Sequence, residues 1–252
     1  MQDHAITAPY ESYRTLARAG YRGYVLESAG DSTETALTEL SGCAPIEAGG
    51  RGTVYRFQSG EGEGEGIVRV YRRGGAIRHV LKETYFFDNR PRREFAVHHH
   101  ALQQGLSVPP LMGVAWRQTG PAFRGRIATG YIHADHLQQW LKAASPPNTN
   151  RMHAVGESIR RMHDIGISHA DLQVRNILMA QDRVYLIDFD RAVVHAQLAD
   201  KSRLRNLMRL QRSFVKNNMP LTAFHAICAG YGAERFPGWS AQLTRRQEES
   251  SP

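Results

Sequence analysis

The sequence predicts an α+β fold of two lobes, a small antiparallel-sheet N-lobe over residues 1–131 and a mostly helical C-lobe over residues 132–252. Three observations carry that expectation. Strand-like runs crowd the first half, at residues 54–57, 67–71, 108–116 and 123–129. From residue 137 onward the apolar residues recur at helical spacing instead. Between these helical stretches lies the run His169-Ala170-Asp171-Leu172-Gln173-Val174-Arg175-Asn176, which leads into two short apolar strands ending at Asp188.

Composition narrows the class. At 252 residues the chain has ample material for a core, and 41% hydrophobic with 22% charged residues is ordinary for a globular protein. No run approaches the roughly twenty apolar residues of a membrane span. The first residues, Met1-Gln2-Asp3-His4-Ala5, lack a basic-then-apolar signal pattern, so secretion is not expected. Two distant cysteines, Cys43 and Cys228, suit a reduced setting without a disulfide framework. The net charge of +8 favours anionic partners such as phosphorylated substrates or lipid head groups. Nucleic acid is not expected, because no aromatic-rich recognition motif accompanies the arginines.

Taken in order, residues 10–19 and 32–40 are expected to form helices, interrupted by Gly20, Gly23 and Gly30. The run Ala48-Gly49-Gly50-Arg51-Gly52-Thr53 precedes an alternating strand, Val54-Tyr55-Arg56-Phe57. Glycines let backbone N–H groups approach phosphates closely, so Gly49, Gly50 and Gly52 are candidate nucleotide contacts. No Lys-Ser/Thr follows them, which excludes a P-loop. Residues 59–66 alternate Gly and Glu and read as a hairpin tip.

The next strand holds Arg69 between Val68 and Val70 and ends in the basic turn Arg72-Arg73-Gly74-Gly75. Arg stays charged and can hold phosphate with two parallel hydrogen bonds, and Pro91 opens the helix that carries Glu94. Arg78, His79, Lys82 and Tyr85 extend a basic patch suited equally to an anionic acceptor or to solvent. His98-His99-His100 point in different directions around a helix and cannot share one metal ion. Gly130-Tyr131-Ile132-His133 reads as a connector whose amides could meet a nucleobase edge. Helices are expected at 137–144, 152–165 and 200–215. The last is basic on one side and apolar at Leu204, Leu207, Met208 and Leu210, and is read as a packed helix with a solvated face. Residues 241–252 are polar and expected to fray.

The chemistry concentrates after residue 168. A loop presents the Asp171 carboxylate and, five residues on, the Asn176 amide; the hairpin of 177–179 and 184–187 then brings Asp188 back toward both. Oxygen ligands converging from two strand ends suit Mg²⁺, which keeps phosphate oxygens in its shell. The pattern H-x-D-L-x-x-x-N followed by D-F-x resembles the catalytic half of protein-kinase-like phosphotransferases. Together with Tyr71-Arg72-Arg73-Gly74-Gly75 it resembles, over most of the chain, the bacterial lipopolysaccharide core kinases, typified by 3-deoxy-D-manno-octulosonic acid (Kdo) kinase.

That resemblance implies a protein-kinase-like fold and an ATP-dependent kinase. Its acceptor would be the 4-hydroxyl of a Kdo residue on a lipid A precursor (Kdo-lipid IVA), at the cytoplasmic face of the inner membrane. The partners implied are a glycolipid and an anionic membrane surface, touched peripherally. Asp171 is then the catalytic residue, Asn176 and Asp188 hold Mg²⁺, and Gly49, Gly50, Gly52, Arg69 and Glu94 serve ATP, with Arg69 standing where protein kinases carry the strand Lys that grips the phosphates and Glu94 as its helix partner. Departures from protein kinases are Ala170 for Arg, Asp190 for Gly and Arg69 for Lys, with no Ala-Pro-Glu segment and little room for an activation loop. They disfavour control by phosphorylation and a protein acceptor. Another small-molecule or protein phosphotransferase, or a catalytically silent kinase-like binding module, are the other expectations.

Overall fold

The computed structural model describes residues 10–46, 53–60, 64–71, 85–86, 89–119, 122–143, 147–239 and 242–243. The glycine turn with Gly49, Gly50 and Gly52, the basic turn at 72–75 with Arg78, His79 and Lys82, residues 61–63 of the Gly-Glu tract and the tail at 244–252 lie outside them.

The chain divides into two compact units, Met1–Phe95 with Pro110–Tyr131, and Ala96–Pro109 with Ile132–Pro252. The first is built on an antiparallel sheet. Its strands are β1 (Tyr13–Arg18), β2 (Tyr21–Leu26), β3 (Ala44–Ile46), β4 (Val54–Gln58), β5 (Glu65–Val70), β6 (Tyr85–Phe86), β7 (Leu111–Thr119) and β8 (Ala122–Gly130). The order across the sheet is β1-β2-β7-β8-β5-β4-β3, with β6 on β8. Helix α1 (Gly30–Thr38) packs on one face, its Ala36 and Leu37 meeting Val25, Phe57, Val68, Met112 and Ala128 in a single apolar cluster.

The helix expected over residues 10–19 is instead the β1–β2 hairpin. Arg18 pairs with Tyr21, so the loop has two residues, and both carry positive φ, Ala19 at 52° and Gly20 at 75°. That is the geometry of a tight hairpin turn whose twist matches its strands, and Gly20 adopts it without steric cost. Burial of Tyr21, Tyr24 and Val25 from β2 then outweighs the helical spacing of Tyr13 and Leu16.

Helix α2 (Arg90–Gln103) is shared: its residues through Phe95 belong to the first unit and the rest to the second. Pro91 stands in its first turn, where a missing N–H costs nothing, and Asn89 Oδ1 accepts from the Arg92 amide at 3.3 Å. Phe95 is fully buried among Tyr10, Tyr13 and Tyr24, with ring centroids 4.9, 5.2 and 5.6 Å away. Aromatic contacts of this kind fix the rotation of the helix.

The second unit is mainly helical, with β9 (Asp135–His136), α3 (Leu137–Ala143), α4 (Thr149–Asp164), β10 (Ile167–Ser168), β11 (Ile177–Met179), β12 (Val184–Leu186), β13 (Val193–Val194), α5 (Asp200–Lys216) and α6 (Leu221–Tyr231). Strands β12, β11 and β9 form one small sheet; β10 and β13 form another. The apolar residues of α4 behave as their spacing predicts, with Val155, Ile159 and Met162 fully buried. Asn148 caps this helix by accepting from the Arg151 amide. Helices α4 and α6 approach at glycine: a Cβ on Gly156 would lie 2.1 Å from the carbonyl oxygen of Ile227. No side chain fits there, so the two backbones touch.

Candidate active site

Strand β11 leaves the loop at Asn176, and β12 returns antiparallel to it with Ile177 opposite Leu186. The short hairpin forms because Ile177, Leu178, Met179, Val184 and Leu186 are all buried while Gln181 and Asp182 turn in solvent. It places Asp188 within two residues of the ladder's end. The Ile187 amide then donates to the Asn176 carbonyl at 3.0 Å. Asp188 itself has φ 66°, an uncommon conformation for a residue bearing a Cβ. Such a backbone persists only where the surroundings hold it, and it is found at functional sites more often than elsewhere.

The loop is closed from within. The Asn176 side chain, 6% exposed, donates from Nδ2 to the Asp171 carbonyl at 2.8 Å. Gln173 donates from Nε2 to Asp171 Oδ2 at 3.1 Å, and the Arg209 guanidinium stands 3.7 Å from Oδ1. The Asp171 carboxylate remains 42% exposed, so it can meet a reactant. Asp171, Asn176 and Asp188 are thus tied into one frame by the hydrogen bonds of their own segments.

His169 is the link that sequence reasoning left without a role. It is fully buried. Its Nδ1 accepts the Asp171 amide at 3.2 Å, which puts the ring proton on Nε2, where it donates to the Ile187 carbonyl at 3.1 Å. One imidazole therefore joins the backbone of Asp171 to the residue preceding Asp188. Burial holds the ring neutral by pushing its pKa below the usual value. Phe189 packs against it at 5.3 Å between centroids and against His98 at 5.6 Å.

Behind His169 runs a buried polar chain that local periodicity did not announce. The His169 amide donates to Asn206 Oδ1 at 2.8 Å, which fixes that atom as oxygen. His163 Nε2 lies 3.1 Å from the same oxygen and so must donate to it, leaving Nδ1 to accept from the Tyr231 hydroxyl at 2.9 Å. Burial pushes the His163 pKa down to about 3. The available signal was Asn206 itself, an amide set into the apolar face of α5 beside Leu204, Leu207 and Leu210.

In the first unit, Arg69 and Glu94 meet as expected. The Arg69 guanidinium reaches both carboxylate oxygens of Glu94, and the Tyr71 hydroxyl donates to the same carboxylate. Glu94 is 3% exposed and Arg69 26%. Tyr71, quoted in the sequence only as part of the basic turn and given no contact with Arg69, also lies under the guanidinium, its ring centroid 4.7 Å away. The amides of Gly130 and Tyr131 in the connector donate to the carbonyls of Pro110 and Glu65; of the four residues read as a nucleobase edge, two are therefore already engaged. The three histidines of α2 diverge as expected, His98 bonding the Pro109 carbonyl and His100 that of Ile165. Among the described residues no group of three or more His, Cys, Asp or Glu side chains could hold a metal ion. Asn176 with Asp188 is a different donor set, an amide and a carboxylate. It fits Mg²⁺, which takes one or two protein oxygens and completes its shell with phosphates and water.

The family model for the lipopolysaccharide kinase (Kdo/WaaP) family matches residues 38–231. The chain belongs to that family. A 3-deoxy-D-manno-octulosonic acid kinase of Vibrio cholerae is 33% identical over 199 residues, covering 74% of this chain and 82% of its own. Another from Photobacterium profundum is 32% identical over 199 residues, covering 73% and 81%. A solved structure of WaaP in complex with acyl carrier protein matches with TM-score 0.58 at 17% identity, over 82% of this chain and 88% of that one. At that identity the likeness bears on fold alone, and the fold is the two-lobed, kinase-like α+β architecture. The Kdo/WaaP-family chain is a phosphotransferase acting on a hydroxyl, and ATP use goes with the family.

Proposed function

We propose that this kinase transfers the γ-phosphate of ATP to the 4-hydroxyl of a Kdo residue on a lipid A precursor, Kdo-lipid IVA, during lipopolysaccharide core synthesis. It would act peripherally at the cytoplasmic face of the inner membrane. No helix among the described residues is long and apolar enough to cross a membrane, which is compatible with a peripheral attachment. The observation that carries the reading is the frame around Asp171: a half-exposed carboxylate held by Gln173, its backbone anchored by His169 and Asn176.

In this reading Asp171 accepts the proton of the acceptor hydroxyl as the oxygen attacks phosphorus, and Gln173 keeps the carboxylate turned outward. Asn176 and Asp188 are the ligands for Mg²⁺. That ion, when bound, neutralises charge on the β- and γ-phosphates. Arg69 positions the α- and β-phosphates, with Glu94 and Tyr71 holding the guanidinium in one orientation. Gly49, Gly50 and Gly52 supply backbone amides to the triphosphate. Phosphoryl transfer depends mainly on alignment and charge neutralisation, and a hydrogen-bonded frame provides alignment.

The test is a panel of acceptors offered with labelled ATP: Kdo-lipid IVA, free sugars, an aminoglycoside and a generic protein. Phosphate should pass to the Kdo glycolipid. Asp171→Ala should lower turnover by roughly 10²-fold or more while leaving nucleotide binding in place. Transfer to a different acceptor alone, or full turnover by that variant, would defeat the assignment. Stabilisation by Mg²⁺-ATP without transfer to any acceptor would mark a binding module instead.

A further inference from the structure

Beside Asp171 opens a pocket of about 320 Å³ whose wall is one face of α5. Arg209, Arg212 and Lys216 line it, at helix positions i, i+3 and i+7, and Arg175 from the loop lines it opposite them. Four cations thus share a concave surface with the single Asp171 carboxylate. The loop and helix are held in register around it. Ser213, 8% exposed, accepts the Val174 amide on Oγ at 3.1 Å. Gln138 ties two of the lining residues together, donating to Asn217 Oδ1 at 3.0 Å and accepting from Arg175 Nε at 2.8 Å.

A solvated basic helix face would not be expected to line one pocket with the Asp171 carboxylate, nor to be pinned to its loop by a buried hydroxyl. We infer that this face of α5 is an anion-binding subsite for the acceptor: Arg212 and Lys216, with Arg175, receive an oxyanion carried by the substrate while its hydroxyl lies against Asp171. The inference rests on the proposed phosphotransfer at Asp171 and adds the feature that selects the substrate, an alcohol bearing a carboxylate or phosphate nearby. Arg209 is reserved for Asp171, which it faces at 3.7 Å. Concentrated positive charge in a concave site raises both the encounter rate and the residence of such an acceptor.

The experiment is steady-state transfer from ATP to Kdo-lipid IVA by the full chain, comparing wild type with Arg212→Ala/Lys216→Ala, Arg212→Glu and Arg212→Lys. Both residues are exposed on a helix, so the fold should be unaffected, as thermal unfolding will check. The acceptor KM should rise roughly 10- to 100-fold in the double alanine variant, more in Arg212→Glu and little in Arg212→Lys. kcat and the KM for ATP should stay within about two-fold, a split that a general structural defect would not produce. Two modified acceptors separate the sources of the anion, one with its sugar carboxylate methyl-esterified and one with its lipid phosphates removed. The change that raises the wild-type KM but adds nothing in the double variant identifies the group bound. An unchanged acceptor KM, or an equal rise in the KM for ATP, overturns the inference. Should the wild type phosphorylate no Kdo-bearing acceptor, the substrate reading fails by itself. The subsite is then judged by calorimetric titration with free Kdo, where equal affinity of wild type and Arg212→Glu overturns it and a loss in the variant upholds it.

Discussion

Replacing Asn206 by Ala removes one oxygen that serves two buried donors, the backbone amide of His169 and Nε2 of His163. Asn206 is 5% exposed and both histidines are fully buried, so water cannot readily substitute for the lost acceptor. Each orphaned donor costs about 1–3 kcal/mol, which puts the loss at about 2–6 kcal/mol for the pair. That is a large part of the roughly 5–15 kcal/mol that holds a domain folded. At about 2–4 °C per kcal/mol for a chain of this size, Tm should fall by roughly 10 °C. Asn206→Asp retains an oxygen for both donors and should lose less than half as much. Denaturant unfolding followed by the fluorescence of Trp239, buried against Phe236 at 4.0 Å, gives the free energies directly. A loss below about 1 kcal/mol in Asn206→Ala, or equal losses in both variants, would refute the shared-acceptor reasoning.

Three further outcomes follow from the same structure. His163 is held neutral, with its pKa pushed to about 3 by burial, whereas a free imidazole titrates near 6.5. The unfolded chain therefore binds the extra proton, and stability present above pH 6.5 drains away as pH falls toward 3. The slope is about 1.4 kcal/mol per pH unit, so about 2 kcal/mol is lost by pH 5; His169 acts in the same direction. His163→Gln should flatten the stability profile between pH 6.5 and 4, and parallel profiles for variant and wild type would contradict this. Gly156→Ala would set a Cβ 2.1 Å from the Ile227 carbonyl oxygen, so helices α4 and α6 must separate at a cost of about 3 kcal/mol; a wild-type melting temperature would show that they do not touch. Glu94→Gln leaves the Arg69 guanidinium without its counter-charge. Since Arg69 is partly solvated, stability should fall only by about 1–2 kcal/mol, while the KM for ATP should rise severalfold more than the KM for acceptor. Equal changes in both constants would remove Arg69 from the nucleotide's binding.

Much of the candidate site was legible because its signals are local. Asp171 and Asn176 sit on one loop, and the apolar pairs of 177–179 and 184–186 enforce the hairpin that returns Asp188. The meeting of Arg69 and Glu94 is longer in range, and it was suggested by the resemblance to the kinase strand Lys and its helix Glu. Residues 10–19 were misread because Tyr13 and Leu16 fit a helical period as well as a strand. The informative feature was the Ala19-Gly20 pair, whose positive φ values turn the chain back on itself. The polar chain from Tyr231 through His163 and Asn206 to His169 joins residues up to 68 positions apart, and no local period records it. The basic face of α5 was visible in the sequence as a charge pattern; only the fold sets it around Asp171.

The two faces of α5 explain why its sequence mixes so many arginines with so regular an apolar stripe. Its buried face must do more than pack, because the loop of Asp171 is stiffened by nothing longer than a single 3-10 turn, Val174–Asn176. Asn206 supplies that stiffness through His169, and Ser213 through the Val174 amide, seven residues further along the same helix. A helix anchored to the loop at two points two turns apart cannot slide or rotate without breaking one bond. Any group on its opposite edge is therefore carried at a fixed distance from the Asp171 carboxylate. Arg212 precedes Ser213 by one residue, so its position inherits that precision. On the proposed function such a ruler would serve to present one hydroxyl of a large anionic glycolipid: the anion would fix the sugar, and the helix would fix the anion relative to Asp171.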